Sequence, residues 1–257
     1  MFSNLFSAAD SISYNGYEVV RLHKTIFDNA SRMNIPVSYA ELRSGGRTVA
    51  TFEGVYSGAG NETNFGLTSL FGGGAKQLVV SQRIPRNGRH WVVDLSSDGA
   101  TVFDSREWDL SQEDVCVHDF DDDGVAELSL MIGRFCGIGA MSTVECPMIG
   151  VVFKYDPVAR KYLPEVLAFA RLLNGIEEDA ARIDPSEPGE ATGSYLAERL
   201  DIFLRYAYGG REDEGWMFFD RSYDLPDKQE IEQKIRAALQ REPVYRFVYG
   251  QKARGGN

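Results

Sequence analysis

Histidine and cysteine are scarce in this chain, with three of each among 257 residues. His23, His90 and His118 are too scattered, and the cysteines too irregularly spaced, to form a zinc site. Long apolar runs are also missing. None approaches the ~20 residues that a membrane-spanning helix needs. Basic residues are outnumbered 27 to 38, leaving a net charge of −11, which argues against nucleic acid as a partner because phosphate-backbone binders carry a basic footprint. The first ten residues have neither a basic segment nor a long apolar core, so they do not form a secretory signal. The chain as given therefore reads as cytoplasmic, and a periplasmic or extracellular location would require that a signal had been removed. What remains is ordinary for a globular protein: 43% hydrophobic and 25% charged residues exclude wholesale disorder. The length allows one large domain or two small ones.

Three cysteines cannot all pair with one another. Cys136 and Cys146 bracket the Gly-rich stretch from Gly137 to Glu145, which could close as a hairpin loop with a disulfide across its base. The simpler expectation is three reduced, partly buried thiols, with Cys116 buried in an alternating apolar run.

Residues 36–163 read mainly as strands. Val37–Arg43 alternates, Ser44-Gly-Gly-Arg47 turns, and Thr48–Glu53 returns, which is a hairpin signature. Gln77–Ser81, His90–Leu95, Thr101–Phe103, Val115–His118, Glu127–Ile132 and Val151–Tyr155 continue the pattern, with turns at Arg86-Asn-Gly-Arg89 and Ser97-Asp-Gly-Ala100. An internal repeat lies within. Ser69–Leu78 aligns without gaps on Asp119–Leu128, fifty residues later, and Trp91–Leu95 parallels Val151–Tyr155. The second copy carries an extra loop of about ten residues. Short-strand repeats of about 50 residues suggest propeller-like blades, but a ring needs at least four or so. An open or incomplete sheet arrangement is expected, with Tyr17–Glu53 as a source of further strands.

After Leu163 the period changes from two to 3.6. Leu196, Leu200, Phe203, Leu204 and Ala207 form a helical stripe stopped by Gly209-Gly210. Ile231, Ile235, Ala238 and Leu239 repeat it, with Asp224 and Pro226 as start chemistry and Glu230–Lys234 as an exposed pair. Glu214–Asp220 reads as a short helix that packs Trp216 and Phe219 inward. Residues 176–190 contain six acids and one arginine, with Pro185 and Pro188 among them, and read as a solvated acidic loop. The expected class is α+β: a β-rich domain over 1–163 followed by a helical region over 164–257.

One motif carries chemistry. Asp119-Phe-Asp121-Asp-Asp123-Gly124-Val125-Ala-Glu127 places carboxylates at loop positions 1, 3, 5 and 9, with glycine at 6. Alternate residues of a tight loop can turn toward one centre, and glycine permits the bend. A hard cation such as Ca²⁺ seeks six to eight oxygens at about 2.3–2.6 Å. Crowded carboxylates held by flanking strands repel one another, and a divalent cation reverses the sign of that energy. Protonation, with raised pKa values, is the other relief. The earlier repeat has Ser69, Phe71, Gly73 and Gln77 at the corresponding places, so it should bind nothing. Phe71-Gly-Gly-Gly-Ala-Lys76 lacks the Gly-Lys-Ser/Thr ending of a phosphate loop and precedes a strand.

This turn, its Leu-rich strand and the later Phe153-Lys-Tyr-Asp-Pro157 hairpin resemble the calcium-binding repeats of the FG-GAP/VCBS class, which occur in integrin-α-like propellers and bacterial surface proteins. The resemblance covers about 50 residues well and another 45 in eroded form. It implies side-chain ligands at Asp119, Asp121, Asp123 and Glu127 and a carbonyl ligand at Val125. Glu127 departs from the family, which usually has aspartate there. Such extracellular-type modules bind at ~10⁻⁴–10⁻³ M, so in a cytosol the loop could hold Mg²⁺ or nothing. The expected role is a non-enzymatic Ca²⁺-binding protein with a protein partner, with an inhibitor or immunity-type role as one form. The alternatives are a metal-assisted hydrolase using the same carboxylates, for which no general base stands out, and a structural domain with no metal.

Overall fold

The computed structural model describes residues 9–29, 31–54, 62–84, 87–110, 115–142, 144–165, 176–183 and 193–255. Among these, strands come first and helices last, in an α+β order. The first sheet is a meander of β1 (Ser11–Tyr14), β2 (Tyr17–Asp28), β3 (Met33–Ser44) and β4 (Arg47–Phe52). The second is β5 (Glu62–Thr68), β6 (Gln77–Ile84), β7 (Asn87–Asp94) and β8 (Ala100–Asp104). The third is β9 (Cys116–His118), β10 (Glu127–Ile132), β11 (Ile149–Asp156) and β12 (Lys161–Pro164). Each four-stranded sheet keeps sequence order, and the strands do not close into a barrel.

Strands begin at Ser11, ahead of the expected start. Asn15 and Gly16 both have positive φ (50° and 79°), the geometry of a two-residue hairpin turn that matches strand twist. It sets Tyr14 opposite Tyr17. The expected 44–47 turn forms on Gly45-Gly46, again with positive φ at both residues. The Arg86–Arg89 turn falls elsewhere. Asn87 and Gly88 already lie in β7, paired with Ile84 and Arg83, and Arg86 is outside the described residues.

The chain divides into two compact units, residues 1–130 with 153–163, and 131–152 with 164–257. In the first, alternate residues of the first two sheets meet in one core, with Val19, Leu42, Phe52, Phe65, Leu78, Val80, Trp91 and Val93 all buried. Period-two patterning delivers these side chains to one face of each strand. Phe103 of β8 meets Phe153 of β11 edge-on at 5.3 Å between centroids, and Trp108 lies 5.4 Å from the same ring.

The second unit holds α1 (Ile176–Arg182), α2 (Gly193–Tyr208), α3 (Glu212–Ser222), α4 (Lys228–Leu239) and α5 (Pro243–Gly255). The α2 stripe is buried as its spacing requires. Part of the expected acidic loop is helical: Ile176 and Ala180 of α1 pack with Ile202, Tyr206 and Phe218. Its acids Glu177, Glu178 and Asp179 occupy the first turn, where the helix dipole favours them, and Arg205 meets Asp179 at 3.0 Å. Residues 184–190 of that window lie outside the described residues. Helix α4 starts at Lys228 after Asp227, later than Asp224 suggests. Trp216 is half-buried between Phe203 and the Arg236 guanidinium, 3.8 Å from its centroid, while Phe218 and Phe219 fill the core.

Helix α5 has no apolar stripe strong enough to be read from sequence. Pro243 opens it without wasting an N–H, and Glu242 Oε2 accepts the Tyr245 N–H at 2.6 Å.

The cysteines differ from the simpler expectation. Cys136 and Cys146 are disulfide-bonded, with Cα atoms 4.7 Å apart, and Cys116 is free and exposed instead of buried. The bridged loop meets the start of α2, where Glu145 Oε1 accepts the Ser194 hydroxyl at 2.6 Å. Gly193 is required there. A Cβ at that position would stand 2.3 Å from Glu145 Oε2 and 2.9 Å from the Ala140 carbonyl.

Candidate metal centre

The 119–127 loop joins β9 to β10, and its conformation is set from within. Asp119 accepts the Asp123 N–H at 3.1 Å on Oδ1 and the Gly124 N–H at 2.8 Å on Oδ2. Asp123 Oδ1 accepts the Val125 N–H at 2.8 Å. The chain reverses through Asp122 (φ 57°) and Gly124 (φ 84°), two left-handed positions that aspartate tolerates and glycine favours. Glu127, the first residue of β10, is fully buried, and its Oε2 accepts the Phe120 N–H at 2.7 Å. The carboxylates thus act as the loop's own scaffold.

The first repeat closes in the same way without a carboxylate. Gln77, the first residue of β6, is also fully buried, and its Oε1 accepts the Leu70 N–H at 2.7 Å. The two loops lie side by side in the first unit. Ala126 donates its N–H to the Leu70 carbonyl at 2.7 Å, and a Cβ on Gly72 would come within 2.9 Å of the Gly124 carbonyl. Phe71 stacks on Tyr155 with centroids 3.9 Å apart. Downstream the structure shifts the sequence parallel by two residues, so that Asp94 and Asp156, the last residues of β7 and β11, correspond: Asp94 Oδ1 accepts the Ser96 N–H at 2.9 Å, and Asp156 Oδ1 accepts the Val158 N–H at 2.7 Å.

Asp119, Asp121 and Glu127 each offer a carboxylate oxygen, and these oxygens lie within 4.8 Å of one another. Asp121 Oδ1 and Glu127 Oε1 are buried and accept no hydrogen bond. Buried acceptors without donors are costly, so this donor set suits a cation. Asp123 stands apart from the trio, with Oδ1 held by Val125. Val125 enters the loop's hydrogen bonding through its N–H, and Asp122 is exposed.

A cation of the protein's own reaches this centre. The Lys154 ammonium, carried by β11, lies 2.5 Å from Asp121 Oδ2, 2.7 Å from Asp123 Oδ2 and 3.4 Å from Glu127 Oε1. Burial by itself would lower the Lys154 pKa, but the hydrogen bonds and charges of Asp121 and Asp123 more than reverse this and raise it. The same contact, followed by the Val125 N–H, lowers the Asp123 pKa, opposite to the rise expected of crowded carboxylates without a metal. One ammonium thus faces a cluster of four carboxyl groups.

Reading the sequence missed Lys154. Its signal is a lone cation in Val151-Val-Phe-Lys-Tyr155, where Val151, Val152 and Phe153 are buried on both faces. Such a charge needs an anionic partner, but nothing local says which.

Comparison with known proteins finds no matching family model, no similar curated protein and no similar solved structure. Among the described residues no helix is long and apolar enough to cross a membrane.

Proposed function

We propose that this protein is a non-enzymatic Ca²⁺-binding protein related to the FG-GAP/VCBS repeats, its second and third sheets being two propeller-like blades of an open or incomplete arrangement. The cation site is Asp119, Asp121, Asp123 and Glu127 with the Val125 carbonyl, and Mg²⁺ is a weaker alternative occupant. The observation that carries this reading is the pair of buried oxygens on Asp121 and Glu127 that accept no hydrogen bond, with only the Lys154 ammonium 3.4 Å from the latter, beside Asp119 in a loop that is already closed. A metal there would tie the start of β10 to the β9 end, stiffening a scaffold. The recurrence of the Gln77–Leu70 bond as Glu127–Phe120 supports a repeat in which only the second copy keeps ligand chemistry. A protein partner is supported by the large apolar side chains exposed near the end of the β2–β3 hairpin, Phe27 (59%) and Met33 (60%). Hydrolysis is the weaker reading, because a catalytic metal needs a nearby general base and no residue of the sequence stands out as one.

Thermal melting of the full chain against CaCl₂ tests the proposal. Millimolar Ca²⁺ should raise Tm by mass action, and Asp121→Ala should abolish the rise. An unchanged Tm up to 10-fold above the ~10⁻³ M expected for weak sites would leave only a structural domain.

A further inference from the structure

Lys154 has no counterpart in the motif, yet its ammonium touches three of the four carboxylates in the proposed ligand set. Its Nζ is within 2.7 Å of the Oδ2 atoms of Asp121 and Asp123 and 3.4 Å from Glu127 Oε1, so its charge sits among the carboxylates that a metal at 2.3–2.6 Å would also need. An ammonium and a divalent cation cannot share so small a space, because their charges repel at short range in a partly dry setting. The side chain is long and flexible, its exposure is 25%, and it ends beside an exposed loop residue, Asp123. A four-carbon stem can therefore swing its charged head to solvent without moving β11.

We propose that Lys154 is a tethered competitor of the divalent cation: it closes the carboxylate loop when metal is scarce and is expelled when metal binds. This inference rests on the cation site proposed above and adds its regulation. The loop would keep one fold in both states, because the Asp119, Asp123 and Glu127 bonds to backbone N–H groups involve no Lys154 atom. The competitor would set the threshold for binding and spare the apo protein the full repulsion of its acids.

The test uses the full chain with CaCl₂ as probe. Calorimetric titration should show Lys154→Gln binding Ca²⁺ on the order of tenfold or more tighter than wild type, with Lys154→Arg close to wild type. Without metal, Lys154→Gln should melt lower than wild type, and saturating Ca²⁺ should close most of that gap. A readout on the unaltered protein guards against a misfolded variant. Acetylation of Lys154 by an N-hydroxysuccinimide ester, followed by peptide mass spectrometry, should increase on adding Ca²⁺ while that of Lys161 does not. Equal Ca²⁺ affinity in wild type and Lys154→Gln, or acetylation of Lys154 indifferent to bound Ca²⁺, overturns the competitor and leaves the cation site standing. Absence of Ca²⁺ binding in both proteins overturns both.

Discussion

Gln77 and Glu127, fifty positions apart, make one and the same bond. Each opens the second strand of its sheet, is fully buried, and accepts at 2.7 Å the N–H of the residue seven positions earlier. The amide and the carboxylate have the same shape, so the loop's closure survives the change from acid to amide. Metal chemistry and loop architecture are thus separable at this position.

Substitutions at Glu127 should expose that separation. Glu127→Gln keeps an oxygen for the Phe120 N–H, so metal-free stability should stay near that of wild type while the Ca²⁺-dependent rise in Tm shrinks. Glu127→Ala leaves that N–H without its partner and should lower stability by about 1–3 kcal/mol. Denaturant melts of both variants with and without Ca²⁺ provide the check. A Glu127→Gln protein as unstable as Glu127→Ala would show that the charge, not the bond, holds the loop.

The Asp98–Arg160 pair predicts an acid-side effect. Arg160 contacts Asp98 at 2.8 Å, and its hydrogen bond, followed by that of Ser97, holds the Asp98 pKa down at about 2. An aspartate in the unfolded chain titrates near ~3.9. The depressed folded value means that the stabilisation is present above about pH 4 and fades as pH falls toward 2. The difference in Tm between wild type and Arg160→Gln should therefore narrow over that window. A difference that is constant with pH would show that Asp98 is not the partner that matters. Both groups are exposed at the surface, so the effect should be small and weaken with salt.

Glu242 predicts the opposite slope. Burial raises its pKa, with the Tyr245 N–H and Tyr208 hydroxyl bonds acting against the rise. A raised folded value means that the contribution is fully present below the unfolded value near ~4.3 and is lost as pH rises through the folded one. Glu242→Gln keeps an acceptor for both donors and cannot ionise. Its stability relative to wild type should improve from pH 4 to pH 8 in parallel melts. A relative stability that does not move with pH would remove Glu242 as the titrating group.

Thiol chemistry should follow the observed pairing. The native protein should react as one thiol per chain, at exposed Cys116, and as three after unfolding with reductant. Opening the bridge, by reduction or by Cys136→Ser with Cys146→Ser, should lower stability by about 2–3 kcal/mol for a ten-residue loop. Three native thiols would rule out the bridge. Release of Glu145 from Ser194 should fray the start of α2 first, as faster amide exchange there.

Much of the architecture was written locally. The Asp119–Glu127 spacing determines a loop that bonds to its own backbone, because every partner lies within eight residues. The fifty-residue repeat, the period-two strands and the α2 stripe were legible for the same reason: periodicity reports which face of an element is apolar. Elsewhere the local signal is weak. Helix α1 hides its two buried residues among acids, and α5 has no strong stripe.

Only the tertiary structure decided what neutralises the acids. Lys154 is 33 residues from Asp121, and it arrives because β11 lies beside β10 in the third sheet. The pairing of Cys136 with Cys146 and the seating of Phe71 on Tyr155 were settled in the same way. A sequence states which groups need a partner, through burial and charge. Which partner each one meets depends on how strands are stacked side by side, and no periodicity within a strand encodes that.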